Sequence, residues 1–217
     1  MKNTNCNTIF FDFDGTLVNS IGLFVKIVNE TLRHFEYPEL SAVEIKFKLT
    51  RPIQNLFVDY VVEQRVDEIT KFFRKIEHER HTPEHFGLIE GVNETIKFLK
   101  EKNFKLAIIT NKENFPVKQF LKELDLANYF DLIIGRDDVQ NSKPHPESIE
   151  KALQFFKVKK ESAMLIGDTL NDILAAREAK INCAAVLSGA GTEEELKKEN
   201  PQWIWKDVNV LKKIFKF

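Results

Sequence analysis

The chain has 217 residues, 43% of them hydrophobic and 30% charged, enough apolar material to close a core and too much for a disordered chain. Its 32 basic and 33 acidic side chains nearly cancel, at a formal charge of −1, so nothing electrostatic points to nucleic acid, and no apolar run approaches the ~20 residues of a membrane helix. The polar start MKNTNCNT lacks the apolar centre of a signal peptide, and Cys6 and Cys183 fit free thiols better than a disulfide framework, so a cytoplasmic protein is expected.

From Thr8 the sequence reads TIFFDFDGT, a short run of β-formers that stops at Asp and Gly. After it, residues 17–87 carry almost no strand signal. Ile21, Phe24, Val25, Val28 and Leu32 form one helical stripe, Ser41-Ala-Val-Glu44 has capping-box spacing, and Ile69, Phe72, Phe73 and Ile76 form another stripe. A block of about seventy residues is far too long for a βα loop. It predicts an all-helical insertion, a cap standing over the strand ends, with the chain re-entering its parent domain near Gly87–Gly91.

Strand and helix then alternate. Lys105–Thr110 (KLAIIT), Phe130–Gly135 (FDLIIG), Ala163–Asp168 (AMLIGD) and Asn182–Leu187 (NCAAVL) are continuously apolar, as strands buried on both faces are. Helical spacing links Val92, Ile96 and Leu99, then Val117, Phe120, Leu121 and Leu124, then Ile149, Leu153 and Phe156. Thr192-Glu-Glu-Glu195 starts a further helix, and Trp203-Ile-Trp205 reads as an edge strand. The predicted fold is α/β, an open doubly wound parallel sheet with a Rossmann-like core (1–16 and 88–217) and an inserted helical cap (17–87).

The residues able to do chemistry share one position, the carboxyl ends of these strands. Asp12 and Asp14 follow the first strand, Thr110 and Asn111 the second, Lys143 lies beyond the third, and Asp168 and Asp172 follow the fourth. Ligands of open α/β sheets bind outside those ends, so all should converge on one small volume. Four carboxylates there repel by ~4 kcal/mol per pair at 4 Å and an effective dielectric near 20, and they need counter-charge. Lys143 supplies part; an oxygen-only donor set without His or Cys favours a hard divalent cation, best Mg²⁺. A metal, a lysine, a threonine hydroxyl and strand-end N–H groups make a receptacle for a phosphoryl group, and a remaining carboxylate can attack phosphorus.

Four motifs in order carry a family resemblance: Asp12-Phe-Asp14-Gly15-Thr16-Leu17-Val18, Ile109-Thr110-Asn111-Lys112, Ser142-Lys143-Pro144-His145-Pro146, and Gly167-Asp168-Thr169-Leu-Asn-Asp172. The chain resembles the haloacid dehalogenase-like superfamily of phosphatases, in the branch whose helical cap follows the first motif, and looks most like its phosphoglycolate phosphatases. The resemblance implies Asp12 as nucleophile, forming an aspartyl-phosphate, and Asp14 as general acid and then base. Its pKa is expected to be raised by like-charged neighbours. It implies Thr110, Asn111 and Lys143 as phosphoryl ligands. Asp12, the Asp14 carbonyl and Asp168 would hold Mg²⁺, with Asp172 reaching it through water or orienting Lys143.

Some positions have plainer readings. Asp172 could simply cap a helix. His78, His81 and His85 lack metal-ligand spacing and read as a solvated helix end, and Cys183 reads as core. Two departures from relatives matter. Lys180 stands where a glycine is usual, which predicts a non-glycine residue in the left-handed region. In the cap, Leu49-Thr50-Arg51-Pro52-Ile53 replaces a segment that usually has Gly before Pro-Leu, so Arg51, or Lys48 beside it, is expected to contact an anionic part of the substrate. The expected activity is a Mg²⁺-dependent phosphatase of a small phosphomonoester, as monomer or homodimer. The rivals are a sugar phosphomutase of the β-phosphoglucomutase type and, from another class, a receiver-like or non-catalytic phosphate-binding module.

Overall fold

The computed structural model describes residues 6–49 and 56–215. The five apolar runs become strands β1 (Thr8–Phe11), β2 (Lys105–Ile109), β3 (Leu132–Ile134), β4 (Ala163–Gly167) and β5 (Asn182–Val186). β6 (Trp203–Trp205) joins at the edge, half-buried, with its two indoles stacked at 6.0 Å. The order is β3-β2-β1-β4-β5-β6 and every neighbouring pair is parallel. The winding direction reverses between β1 and β4, the point at which such sheets open a crevice.

Alternation along each strand builds two cores. Ile9 and Phe11 of β1, Leu106 and Ile108 of β2, and Met164 and Ile166 of β4 face one side, packing against α4 (Val92–Glu101) and α5 (Asn114–Glu123). Phe10, Ala107, Ile109 and Leu165 face the other, under α6 (Glu147–Phe156) and α7 (Leu170–Ala179). A helix α8 (Glu193–Lys198), capped by Thr192 as its sequence predicts, and a short α9 (Leu211–Ile214) complete this layer structure. Cys183 lies in the core.

Between β1 and α4 come α1 (Ile21–His34), α2 (Ala42–Leu49) and α3 (Val66–Arg80), and no strand among the described residues. They enclose a core of their own: Ile27, Val28, Leu32, Ile45, Phe57, Ile69, Phe73 and Ile76 are buried together. At ~1.5–3 kcal/mol per fully buried apolar side chain, this cluster is enough to hold the three helices as a unit. The chain enters and leaves the unit through adjacent segments. Val18 and Leu88 form an antiparallel bridge, flanked by Asn19 N–H donating to Gly87 O and Ile89 N–H to Leu17 O, both at 2.9 Å.

Lys180 ends α7 with φ 60° and ψ 42°, the left-handed conformation expected there. Among the described residues, no helix is long and apolar enough to cross a membrane.

Candidate active site

Register brings the chemistry to one edge. Phe11 of β1 lies level with Ile108 of β2 and Ile166 of β4, so the residues just beyond the strands, Asp12, Thr110 and Asp168, emerge side by side. The Asp12 N–H still donates to Ile166 O at 2.8 Å, and Thr110 N–H to Ile134 O at 3.0 Å. Both side chains are therefore fixed by the sheet itself. Gly15 turns the chain away with φ +77°, and a Cβ there would meet Asp168 Oδ2 at 2.5 Å. Only glycine lets the first motif pass over the fourth strand's aspartate.

Lys143 stands at the centre. It is 4% exposed, and its Nζ donates to Asp12 Oδ1 at 2.7 Å, Asp172 Oδ1 at 2.6 Å and Ile109 O at 2.8 Å. Burial works against its charge, but the two carboxylates more than compensate and hold its pKa well above the ordinary lysine value. Asp172 does both of the things its position allows. Its Oδ2 accepts from Thr169 N–H and Oγ1–H at the start of α7, while Oδ1 holds Lys143. Asp168 is fully buried, accepting from Thr16 Oγ1–H at 3.0 Å and Ala190 N–H at 2.8 Å.

Asp12, Asp168 and Asp172 each offer an oxygen within 4.8 Å of the others. One lysine cannot neutralise three carboxylates. Burial pushes Asp12 up to about 7, despite Lys143, and burial together with Asp12 and Asp172 pushes Asp168 well above its usual range. The cluster thus lacks positive charge, its donors are all hard oxygens, and it fits a divalent ion such as Mg²⁺.

The other predicted ligands face the same space. Thr110 Oγ1 accepts from Lys112 N–H at 3.2 Å, which frees its own proton for the cleft. Asn111 Nδ2 donates to Lys143 O at 2.8 Å, so one role of Asn111 is to hold the lysine loop. The cleft above has a volume of about 960 Å³. Its floor includes Asp12, Asp14, Thr110, Lys143 and Asp168, and its roof Phe24, Leu49, Arg74 and Glu77 of the inserted helices.

Asp14 departs from expectation. Burial raises its pKa, but Lys112, 3.5 Å from Oδ2, and His81, 3.9 Å from Oδ1, outweigh burial and hold it well below the carboxylate range. The charges nearest Asp14 are cationic; the like-charged group acts mainly on itself, around Lys143. Lys112 is in turn held at 2.8 Å by Glu77 of α3, which also pairs with Arg74 at 2.9 Å.

Three of these side chains escaped the sequence reading. Lys112 sat inside the second motif without a role, and Glu77 was not singled out. His81 was read as solvated, as His78 and His85 are, yet it is only 6% exposed because Phe13, Phe86 and Phe120 surround its ring. The spacing Glu77 to His81, one helical turn, was the available signal. Arg51 lies outside the described residues. Lys48 does not line the cleft: its ammonium pairs with Asp59 and sits over the Tyr60 ring.

Residues 9–186 match the family model described as haloacid dehalogenase-like hydrolase. The chain is 34% identical over 210 residues, 95% of each chain, to pyrophosphatase PpaX of Anoxybacillus flavithermus. Among solved structures it superposes on a haloacid dehalogenase-like family hydrolase from Streptococcus pneumoniae with a TM-score of 0.87 at 25% identity, over 99% of this chain and 100% of the other. A predicted phosphoglycolate phosphatase from Haemophilus somnus gives 0.88 at 24% identity, over 98% and 99%.

Proposed function

Because the chain belongs to the haloacid dehalogenase-like hydrolases, we propose that it is a Mg²⁺-dependent phosphatase of a small phosphorylated metabolite, working through an aspartyl-phosphate on Asp12. The single observation that carries the reading is Lys143, buried and shared by Asp12 and Asp172 at the floor of the cleft.

In this reading Lys143 and the Thr110 hydroxyl hold the phosphoryl group and turn its phosphorus toward Asp12. A carboxylate oxygen of Asp12 bonds to phosphorus as the bond to the leaving oxygen breaks, and Asp14 gives that oxygen a proton. Water then attacks the same phosphorus, Asp14 takes its proton, and the bond to Asp12 breaks to release phosphate. Asp14 starts ionised, held so by Lys112 and His81. An arriving phosphoryl dianion draws on Lys112 and adds negative charge beside Asp14, and both effects raise its pKa toward the acid form. Asp12, Asp168, Asp172 and the Asp14 carbonyl would hold Mg²⁺, which supplies Lewis-acid neutralisation of the phosphoryl oxygens. Residues 17–87 act as the lid, excluding water while the leaving group is chosen.

The phosphomonoester reading draws on the fold neighbours, and a second substrate draws on a separate observation. Relatives named pyrophosphatase are about one-third identical over nearly the whole chain, and the cleft lining includes, besides Lys143, the cations Arg74, Lys112 and Arg136. Those cations suit a leaving group that is itself phosphate. A phosphate-release screen of phosphoglycolate, sugar phosphates, nucleotides and pyrophosphate, with Mg²⁺ and with EDTA, decides. One substrate is expected to stand out and to fail in EDTA; release from none of them with Mg²⁺ present overturns the reading.

A further inference from the structure

The buried imidazole of His81 faces the one buried oxygen of Asp14, Oδ1. Neither imidazole nitrogen has a hydrogen-bond partner, and neither does Asp14 Oδ1. Leaving such atoms unpaired in a dry site costs ~1–3 kcal/mol each, and Nε2 and Oδ1 are 3.9 Å apart, so an approach of roughly 0.7 Å brings them within hydrogen-bond range. The cage that buries the imidazole is aromatic: Phe86 at 4.9 Å, Phe120 at 5.6 Å and Phe13 at 5.8 Å between ring centres. Those rings offer no competing acceptor.

The two oxygens of Asp14 are not equivalent. Oδ1 is buried, so the 28% exposure of the side chain belongs to the part turned to the cleft, where Oδ2 meets Lys112. His81 comes from the end of α3, one turn after Glu77, which holds that lysine. One helix end of the inserted unit therefore reaches both sides of a single carboxylate in the core.

We propose that His81 is a positioning residue for Asp14: its Nε2–H donates to Oδ1 and aims Oδ2, the proton-carrying oxygen, at the leaving group. Contacts of this kind tighten when substrate binds, and here tightening accompanies seating of α3 on the core. The proposal rests on reading Asp14 as the acid and base.

The test uses two esters, because a proton donor matters most for a poor leaving group. With Mg²⁺ present, His81→Leu is expected to lower kcat on phosphoglycolate by about 100-fold but on p-nitrophenyl phosphate by no more than about fivefold, with KM changed little. His81→Gln, which keeps a donor near the Nε2 position, should recover most of the loss. Equal losses on both esters, or a change in KM alone, overturn the proposal by marking His81 as structural. Release by the unaltered protein from neither of these esters nor any other phosphate compound of the screen instead overturns the reading of Asp14 and the proposal with it. A measurement independent of turnover is the imidazole ¹⁵N spectrum: His81 should be protonated at Nε2 and its resonance should move in Asp14→Asn, and an unmoved resonance refutes the contact.

Discussion

Lys143 Nζ lies 2.6 Å from Asp172 Oδ1 while the other oxygen of that carboxylate caps the first turn of α7. One aspartate thus ties the phosphate-facing lysine to the helix behind it. Lys143→Met should lower kcat by ~10²-fold or more, the scale of losing a key electrostatic group. It leaves Asp12 and Asp172 without their shared cation, so the metal-free protein should also lose ~3–5 kcal/mol. Urea unfolding in EDTA and phosphate release measure the two effects.

Asp12→Asn keeps shape and removes the nucleophile. Turnover should fall at least ~10³-fold, while the metal-free fold should not weaken, since an amide avoids burying a carboxylate whose pKa is already about 7. Rapid-quench detection of acid-stable phosphoprotein should succeed in the unaltered enzyme and fail in this variant. Activity above a few per cent contradicts the covalent route.

In the metal-free protein, stability should fall between pH 4 and pH 7. Asp12 has a folded-state pKa of about 7 against 3.8 for the free side chain, so across that window the folded state holds a proton that the unfolded state has lost. The contribution is complete below pH 4 and gone once pH passes through 7, and Asp168 acts with the same sign. Mg²⁺ binds the ionised forms, so the rise in melting temperature on adding Mg²⁺ should be larger at pH 8 than at pH 5.5. A metal-induced rise that is independent of pH refutes this.

Lys180→Gly should stabilise the protein by ~1 kcal/mol, because Lys180 holds a left-handed conformation that costs a side chain about that much. For a chain of this size the melting temperature should rise by roughly 2–4 °C. Activity should not change, as Lys180 is not among the residues that line the cleft.

The floor of the site was legible in the sequence because each strand announces its own end. An apolar run that stops at Asp12, Thr110 or Asp168 is a local signal, and parallel pairing then does the gathering. What surrounds Asp14 was not legible. Glu77, His81 and Lys112 acquire their roles only when α3 docks on the core, and docking is decided by distant surfaces. The polar string HERHTPEH looks solvated until Phe13 and Phe120 arrive from other segments beside the adjoining Phe86. The like-charge expectation for Asp14 failed for the same reason: sequence counts the aspartates but not which cation reaches each. Lys48 was likewise drawn away from the cleft by Asp59, eleven positions on.

The paired crossing at Val18 and Leu88 sets the two ends of the helical insertion within ~5 Å of each other, the spacing of bridged strands. A tight turn could span that gap, so everything between could be exchanged as a cassette without moving β1 or α4. New substrates can then be acquired by swapping the roof, while the reactive floor is inherited intact; the exception is Asp14, because His81 beside it and the Glu77 that holds Lys112 arrive with the cassette and must be supplied again by any replacement.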